Sequence, residues 1–339
     1  MTIYPSWLPE QLEPAVARLA RVDDCIFEMG DLSGQWSLAA LEVKQVRRND
    51  GRYRALVSAV RPIPPLISLL FSEAINHLRA VLDNVVWHLV SEQSVALDDK
   101  AAKAVAMPIH EDPERFTAWA KDIRRRVPVL GQHTSTTYQR IKELQPFADP
   151  ARVPSLGPLL AMLTDVISED VHPLLLLQAY SNADKHRAIT MTVGRAMLTT
   201  NGTPFLAQDR SLRRVGVGTV LGEGSWGTPL AFESSAAVVV ERPAPWSAAV
   251  SPTTEAQHLR DWVAQRALPL LITGSADLTT AVPVTISLED DGRTLHDRIA
   301  APDRPGARDR LAARTAERYA HAMSQPPSFP EVVSEEFDD

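Results

Sequence analysis

Arg79, Asp83 and Asp184 are ionisable residues on two segments that otherwise read as apolar helices, PLISLLFSEAINHLRAVLDNVVWHLV (65–90) and PLLLLQAYSNADKHRAI (173–189). At 100° per residue the first segment splits into two halves. Phe71, Ala74, Ile75, Leu78, Val81, Leu82, Val85, Val86 and Leu89 fall on one; Ser72, Glu73, Asn76, His77, Arg79, Asp83, Asn84, Trp87 and His88 fall on the other. Trp87 sits amid the polar half, where an exposed indole calls for a second packing surface: another helix, a second subunit or a ligand. On the second segment Asp184 projects between Leu177 and Tyr180 on the apolar side, with Arg187 beside it, while Asn182 and His186 point away. A carboxylate aimed into a core must be paired or protonated. The spacing therefore predicts a cross-helix network joining Arg79 and Asp83 to Asp184 and Arg187. Such a network either fixes how two helices dock, which is the more ordinary role, or forms a reactive centre. A third use is a small-molecule site built from Asn76, Arg79, Asp83 and Asp184.

Other motifs point less sharply. Arg124-Arg125-Arg126 suits a helix C-terminus, where cations complement the helix dipole, as well as it suits a phosphate. His110-Glu111-Asp112 followed by Pro113 reads as a helix start. No H-E-x-x-H, paired cysteine or calcium-loop pattern is present, and a metal set of Asp83, His88, Asp184 and His186 would need ligands from opposite helix faces, so no metal or cofactor is expected. GVGTVLGEG (216–224) lacks the spacing of a nucleotide loop and reads as a hairpin turn. No G-x-S-x-G elbow appears.

The elements that must hold these residues follow from periodicity. A helix is expected over 9–29, then a hairpin about Asn49-Asp50-Gly51, then the long helix from Pro65. Helices follow over 112–126, 135–144, 156–167 and 174–186. From Ile189 the period changes to two, and ITMTVGRAML, RRVGVGTVL and SAAVVVERP predict an antiparallel sheet. Ser251-Pro252 opens a further helix, VPVTISLED reads as a last strand, and RDRLAARTAERYAHAM as a last helix.

With 339 residues, 45% of them hydrophobic, the chain can bury a sizeable core. A net charge of −7 argues against a general polyanion binder, and no DNA partner is expected. The single cysteine, Cys25, excludes an internal disulfide and suits a reducing compartment. No signal peptide or spanning stretch is read, so the expectation is a cytoplasmic protein with no membrane partner.

AINHLRAVLDNVVWHLV, MPIHEDPERF, IKELQPF and YSNADKHRAI, in that order, resemble a family of uncharacterised bacterial proteins over about residues 7–271. The most specific pieces are LRAVLDNVVW and the Asp184-Lys185-His186-Arg187 tetrapeptide. A wider similarity is to the HEPN superfamily of helical nucleotide-binding and ribonuclease domains, many of which carry R-x4–6-H on a helix shared between paired subunits. That resemblance implies metal-free cleavage, with histidine deprotonating a ribose hydroxyl and arginine stabilising charge on the phosphate. Here the motif from Arg79 is broken: Asn84 stands where histidine would, and His88 lies half a turn around. Arg79 with His186 is the implied catalytic pair, His77 being the other candidate base. Asn76, Asp83, Asn84, Trp87, Asp184, Lys185 and Arg187 form the implied binding network.

The expected fold is α+β: a HEPN-like helical bundle with an N-terminal β-hairpin (1–187), an antiparallel β region with a closing helix (188–274), a C-terminal strand and helix extension (275–325) and a disordered acidic tail (326–339). The expected function is RNA binding or metal-independent ribonuclease action in stress or phage defence. The alternatives are a non-catalytic homodimeric interaction module and a small-molecule binding protein.

Overall fold

Val16, Leu19, Val22, Ile26 and Met29 recur at helical spacing, and all are buried on α1 (Glu13–Ser37), which runs two turns beyond the expected end. The structure is a computed structural model that describes residues 4–93, 97–157, 167–186, 189, 191–193, 195–196, 198–200, 213–225, 232–234, 237–278, 280–324 and 332–333. α1 packs along α2 (Pro65–Ser91), whose apolar half is buried as the sequence predicts. Between them β1 (Leu41–Arg47) and β2 (Arg52–Val60) form the expected hairpin, its turn closed by Gly51 at φ 75°, a left-handed conformation open to glycine. Trp36 Nε1 donates to the carbonyls of Arg61 and Pro62 at 3.2 and 3.1 Å, tying the hairpin exit to α1.

α3 (Pro113–Ile123) and α4 (Thr136–Glu143) follow, capped by Asp112 and Ser135, whose side chains accept from Glu114 N and Tyr138 N. The helix expected over 156–167 falls almost wholly on residues 158–166, outside the described residues. α5 (Pro173–His186) packs against α2, and Ser68 Oγ on α2 donates to the Ile189 carbonyl at 2.9 Å.

After α5 the period-two segments give several small antiparallel sheets rather than one. β3 (Met191–Val193) pairs with β5 (Val238–Glu241), which also pairs with β6 (Ala249–Val250). Two further two-stranded ladders, 195–196 with 213–214 and 198–200 with 232–234, lie alongside in sequence. β4 (Val220–Ser225) leaves that region and pairs with β2 of the distant hairpin, with Tyr53 opposite Gly224. Leu221 and Val215 there meet Ala55 and Val57, and burying those four side chains outweighs local pairing.

α6 (Pro252–Trp262) starts as expected, Ser251 Oγ accepting from Thr254 N and Pro252 at the first position. It continues through a π-turn (Val263–Ala267) into α7 (Leu268–Thr273). Pro269 lacks an N–H and crowds the preceding turn, and one wide turn relieves both. The strand expected from VPVTISLED does not form. Val282 and Ile286 are buried, but among the described residues no ladder partner lies beside them, and Arg298 Nη1 satisfies the Ser287 carbonyl at 2.8 Å. α8 (Leu295–Ala300) and α9 (Ala307–Ser324) complete the helices, α9 lying on α1. The tail departs from the expected disorder at one point: β7 (Val332–Val333) pairs parallel with β1, covering the edge of the hairpin sheet. The rest of that tail lies outside the described residues.

The fold is thus mixed α+β, helical with small antiparallel sheets. One contiguous apolar cluster draws side chains from Leu8 to Ala307, including α1, α2, α5, α6 and α7. No helix among the described residues is long and apolar enough to cross a membrane.

Candidate functional site

The polar half of α2 faces three different neighbours. On the α1 side, Arg21 clasps Glu73 through Nε and Nη2 (2.7 and 3.1 Å), and its Nη1 reaches Glu28 at 2.7 Å. His77 accepts at Nδ1 from Arg18 at 3.1 Å, while its Nε2 lies 3.5 Å from Glu73. The Arg21 hydrogen bonds hold the Glu73 carboxyl below its ordinary range. Burial and then the Arg18 charge push His77 down, outweighing Glu73. Its lowered value favours the neutral imidazole, whose Nδ1 is occupied by Arg18 of α1.

On the α5 side, Asn76 Nδ2 donates to Asp184 Oδ2 at 3.0 Å, a contact spanning 108 residues of sequence. The two helices meet as expected, but the pairing is amide to carboxylate. Among the described residues no ion pair joins Arg79 to Asp184. Arg79 instead approaches Asp83 on its own helix, Nη2 to Oδ1 at 3.7 Å. Asp83 is already engaged, accepting from Met107 N at 2.9 Å and pinning the chain ahead of α3 onto α2. The physical reason is reach. Asp184 is half-exposed at the helix edge, so water and one amide satisfy it without a guanidinium.

Arg79 carries the unexplained feature. Its side chain is only 20% exposed, and its Nη1 is buried without a hydrogen-bond partner. Asn84 and His88 are half-buried on α2, Lys185 is exposed at the end of α5, and His186 terminates that helix. The His186 side chain and Arg187 lie outside the described residues. The implied Arg79–His186 pair therefore lies outside what the described side chains report, while His77 faces α1. No group of three or more His, Cys, Asp or Glu side chains gathers among them in a metal-holding arrangement.

The third neighbour is solvent. Leu69 is 65% exposed and Trp87 43% exposed. Both fall on one line along α2, with Asn76 and Ala80 between them, roughly 27 Å from end to end at 1.5 Å per residue.

The most deeply buried polar groups lie elsewhere, and sequence reasoning missed them. Asp23 on α1 receives the Arg260 guanidinium, Arg310 Nη2 at 2.8 Å and Ala307 N at 3.0 Å. Glu255 receives Arg242 at both oxygens, 2.9 Å each, and Tyr180 Oη at 3.2 Å. Burial and then the Glu255 charge push the Tyr180 hydroxyl well above its usual range. Asp149 receives Trp262 Nε1 at 3.0 Å, Arg266 Nε at 2.8 Å and Ala151 N at 3.1 Å. His172 Nε2 lies 3.4 Å from Asp149 without hydrogen-bond alignment, and burial holds that imidazole below its ordinary value. The signal was present: Asp23 and Glu255 occupy apolar-face positions, four residues after Leu19 and four before Leu259.

Protein-family models, curated proteins and solved structures were compared with the chain, and none matches.

Proposed function

We propose that the chain is a non-catalytic interaction module whose α2 outer stripe packs against a second copy of itself. The observation that carries this reading is the paired exposure of Leu69 and Trp87 at the two ends of one stripe. A two-fold axis crossing α2 near Leu78 sets Leu69 against the partner subunit's Trp87, and Trp87 against the partner subunit's Leu69. The small Ala80 then meets the partner's Asn76 at the centre, where helices must approach closely. Such self-complementarity is what an isologous contact requires. The flanking polar groups are largely satisfied within the chain, as suits a docking surface. On this reading the HEPN-like bundle keeps the helix that would bear R-x4–6-H, with Asn84 in place of the histidine, and keeps pairing without cleavage.

Sedimentation of the wild-type protein at tens of micromolar tests this. The expected result is a dimer that the double variant Leu69→Lys, Trp87→Lys weakens roughly 30-fold or more, since a buried aromatic anchor is worth about 2 kcal/mol. At concentrations low enough that both are monomeric, circular dichroism melts of the two should coincide, because both side chains are exposed in the single chain. A wild-type protein that sediments as a monomer ends the reading.

The buried, unpartnered Arg79 Nη1 favours a second reading, in which α2 presents this guanidinium to an RNA phosphate. RNA incubated with the protein in chelator should then be bound or cut by the wild type and not by Arg79→Ala. Equal behaviour of the two removes RNA from α2.

A further inference from the structure

Beyond α2, one groove combines aromatic, cationic and acceptor groups. It is open to solvent, about 450 Å³, and lined by Ala104, Trp119, Asp122, Ile123, Arg125 and Arg126. That volume falls within the roughly 300–1,000 Å³ of small-molecule sites. We propose that it binds a nucleoside phosphate, with the base against Trp119 and the phosphate between Arg125 and Arg126.

Trp119 is half-buried, held by Phe116 at 5.3 Å and His110 at 6.0 Å between ring centroids. A ring fixed by two others is a preorganised stacking platform, because little side-chain entropy remains to be lost. Arg125 and Arg126 are exposed and, among the described residues, their guanidinium groups have no carboxylate partner. A helix C-terminus accounts for one cation, since its dipole acts within the last turn. It does not account for two consecutive free guanidiniums beside an indole, in a chain of net charge −7. Planar forked guanidiniums match phosphate oxygens better than an ammonium would. Asp122 supplies the acceptor that ribose hydroxyls or an exocyclic amine would use, and its charge works against a bare polyphosphate.

The backbone holds this arrangement. Gly131 closes against the end of α3, and a Cβ there would stand 2.3 Å from the Ala120 carbonyl and 2.7 Å from Arg124 Cα. Only glycine allows that approach, so the turn carrying the arginines is clamped to α3 rather than free to swing.

Two sources share this chemistry, a free nucleotide and the phosphorylated end of an RNA. Calorimetric titration with ADP, adenosine, inorganic tripolyphosphate and a short 5′-phosphorylated oligoadenylate tests both. ADP is expected to bind, with adenosine and tripolyphosphate each roughly tenfold weaker or more, because each lacks half of the recognition. Equal affinity for ADP and the oligonucleotide assigns the site to free nucleotide; tighter oligonucleotide binding assigns it to an RNA end. Arg125→Ala with Arg126→Ala should lower ADP affinity roughly tenfold or more with an unchanged melting temperature. Trp119→Ala should do likewise and Trp119→Tyr should restore binding, which separates stacking from folding. Absence of ADP binding, tripolyphosphate binding as tight as ADP, or full ADP affinity in the double arginine variant each overturns the proposal. Since sedimentation reports the α2 contact separately, the two proposals fail independently.

Discussion

Glu255→Ala is expected to cost about 3–5 kcal/mol of folding stability, the largest effect of any substitution considered for this chain. The reason is what it leaves behind. Arg242 has a fully buried side chain, and both of its bonds to Glu255 are lost at once. Its remaining partners are the Glu169 and Val153 carbonyls and, at 3.8 Å, the partly exposed Glu169 carboxylate, which is too distant and too well hydrated to replace a buried pair of charged hydrogen bonds. Tyr180 Oη loses its acceptor in the same step. Replacing both Glu255 and Arg242 by methionine should recover much of that loss, because an apolar pair carries no desolvation penalty. Urea unfolding of the single and double variants checks both parts. If the single variant unfolds within 1 kcal/mol of wild type, on the roughly 0–1 kcal/mol scale of surface pairs, the pair does not hold the β5–α6 junction.

Asp149→Ala should cost about 3 kcal/mol, for a related reason with a different geometry. Asp149 gathers donors from α6, from the π-turn and from the chain after α4, and its side chain is wholly buried. Trp262 Nε1 would become a buried donor without an acceptor. Arg266 suffers less, since its side chain is 38% exposed and water can reach it. Asp149→Asn, retaining one acceptor oxygen, should fall between alanine and wild type. An alanine variant as stable as wild type in the same urea experiment would show that the three elements dock without this carboxylate.

Much of the scaffold was legible in the residues. Asp-Gly between β-like runs marked the hairpin; Ser251-Pro252 and Asp112-Pro113 marked two helix starts; every residue placed on the apolar face of α2 is buried, with Ile67, Leu70 and Val90 extending that face at its two ends. All of these are local signals. What escaped were choices made over long separations. Nothing near Val220 says that its strand will pair with Arg52–Val60, and nothing near VPVTISLED says that it will find no partner. The candidate site divides the same way. That α2 and α5 meet, with Asp184 at the meeting, followed from an acidic residue among leucines. Which group answers it did not, because Asn76 and Arg79 lie one turn apart and side-chain reach decides between them. Trp87 was singled out as needing a second surface, and its exposure sustains the question that the α2 pairing proposal answers.

Asp23 also constrains the order in which the molecule can be completed. The arginines that neutralise it stand 237 and 287 residues further along the chain. During synthesis α1 and α2 emerge early and can associate through their apolar faces. The carboxylate on α1 still has to stay hydrated until Arg260, and then Arg310, leave the ribosome. The interior next to Asp23 therefore closes last, around the first helix to be made, and a nascent chain stalled before α6 keeps that seam open to water and to chaperones.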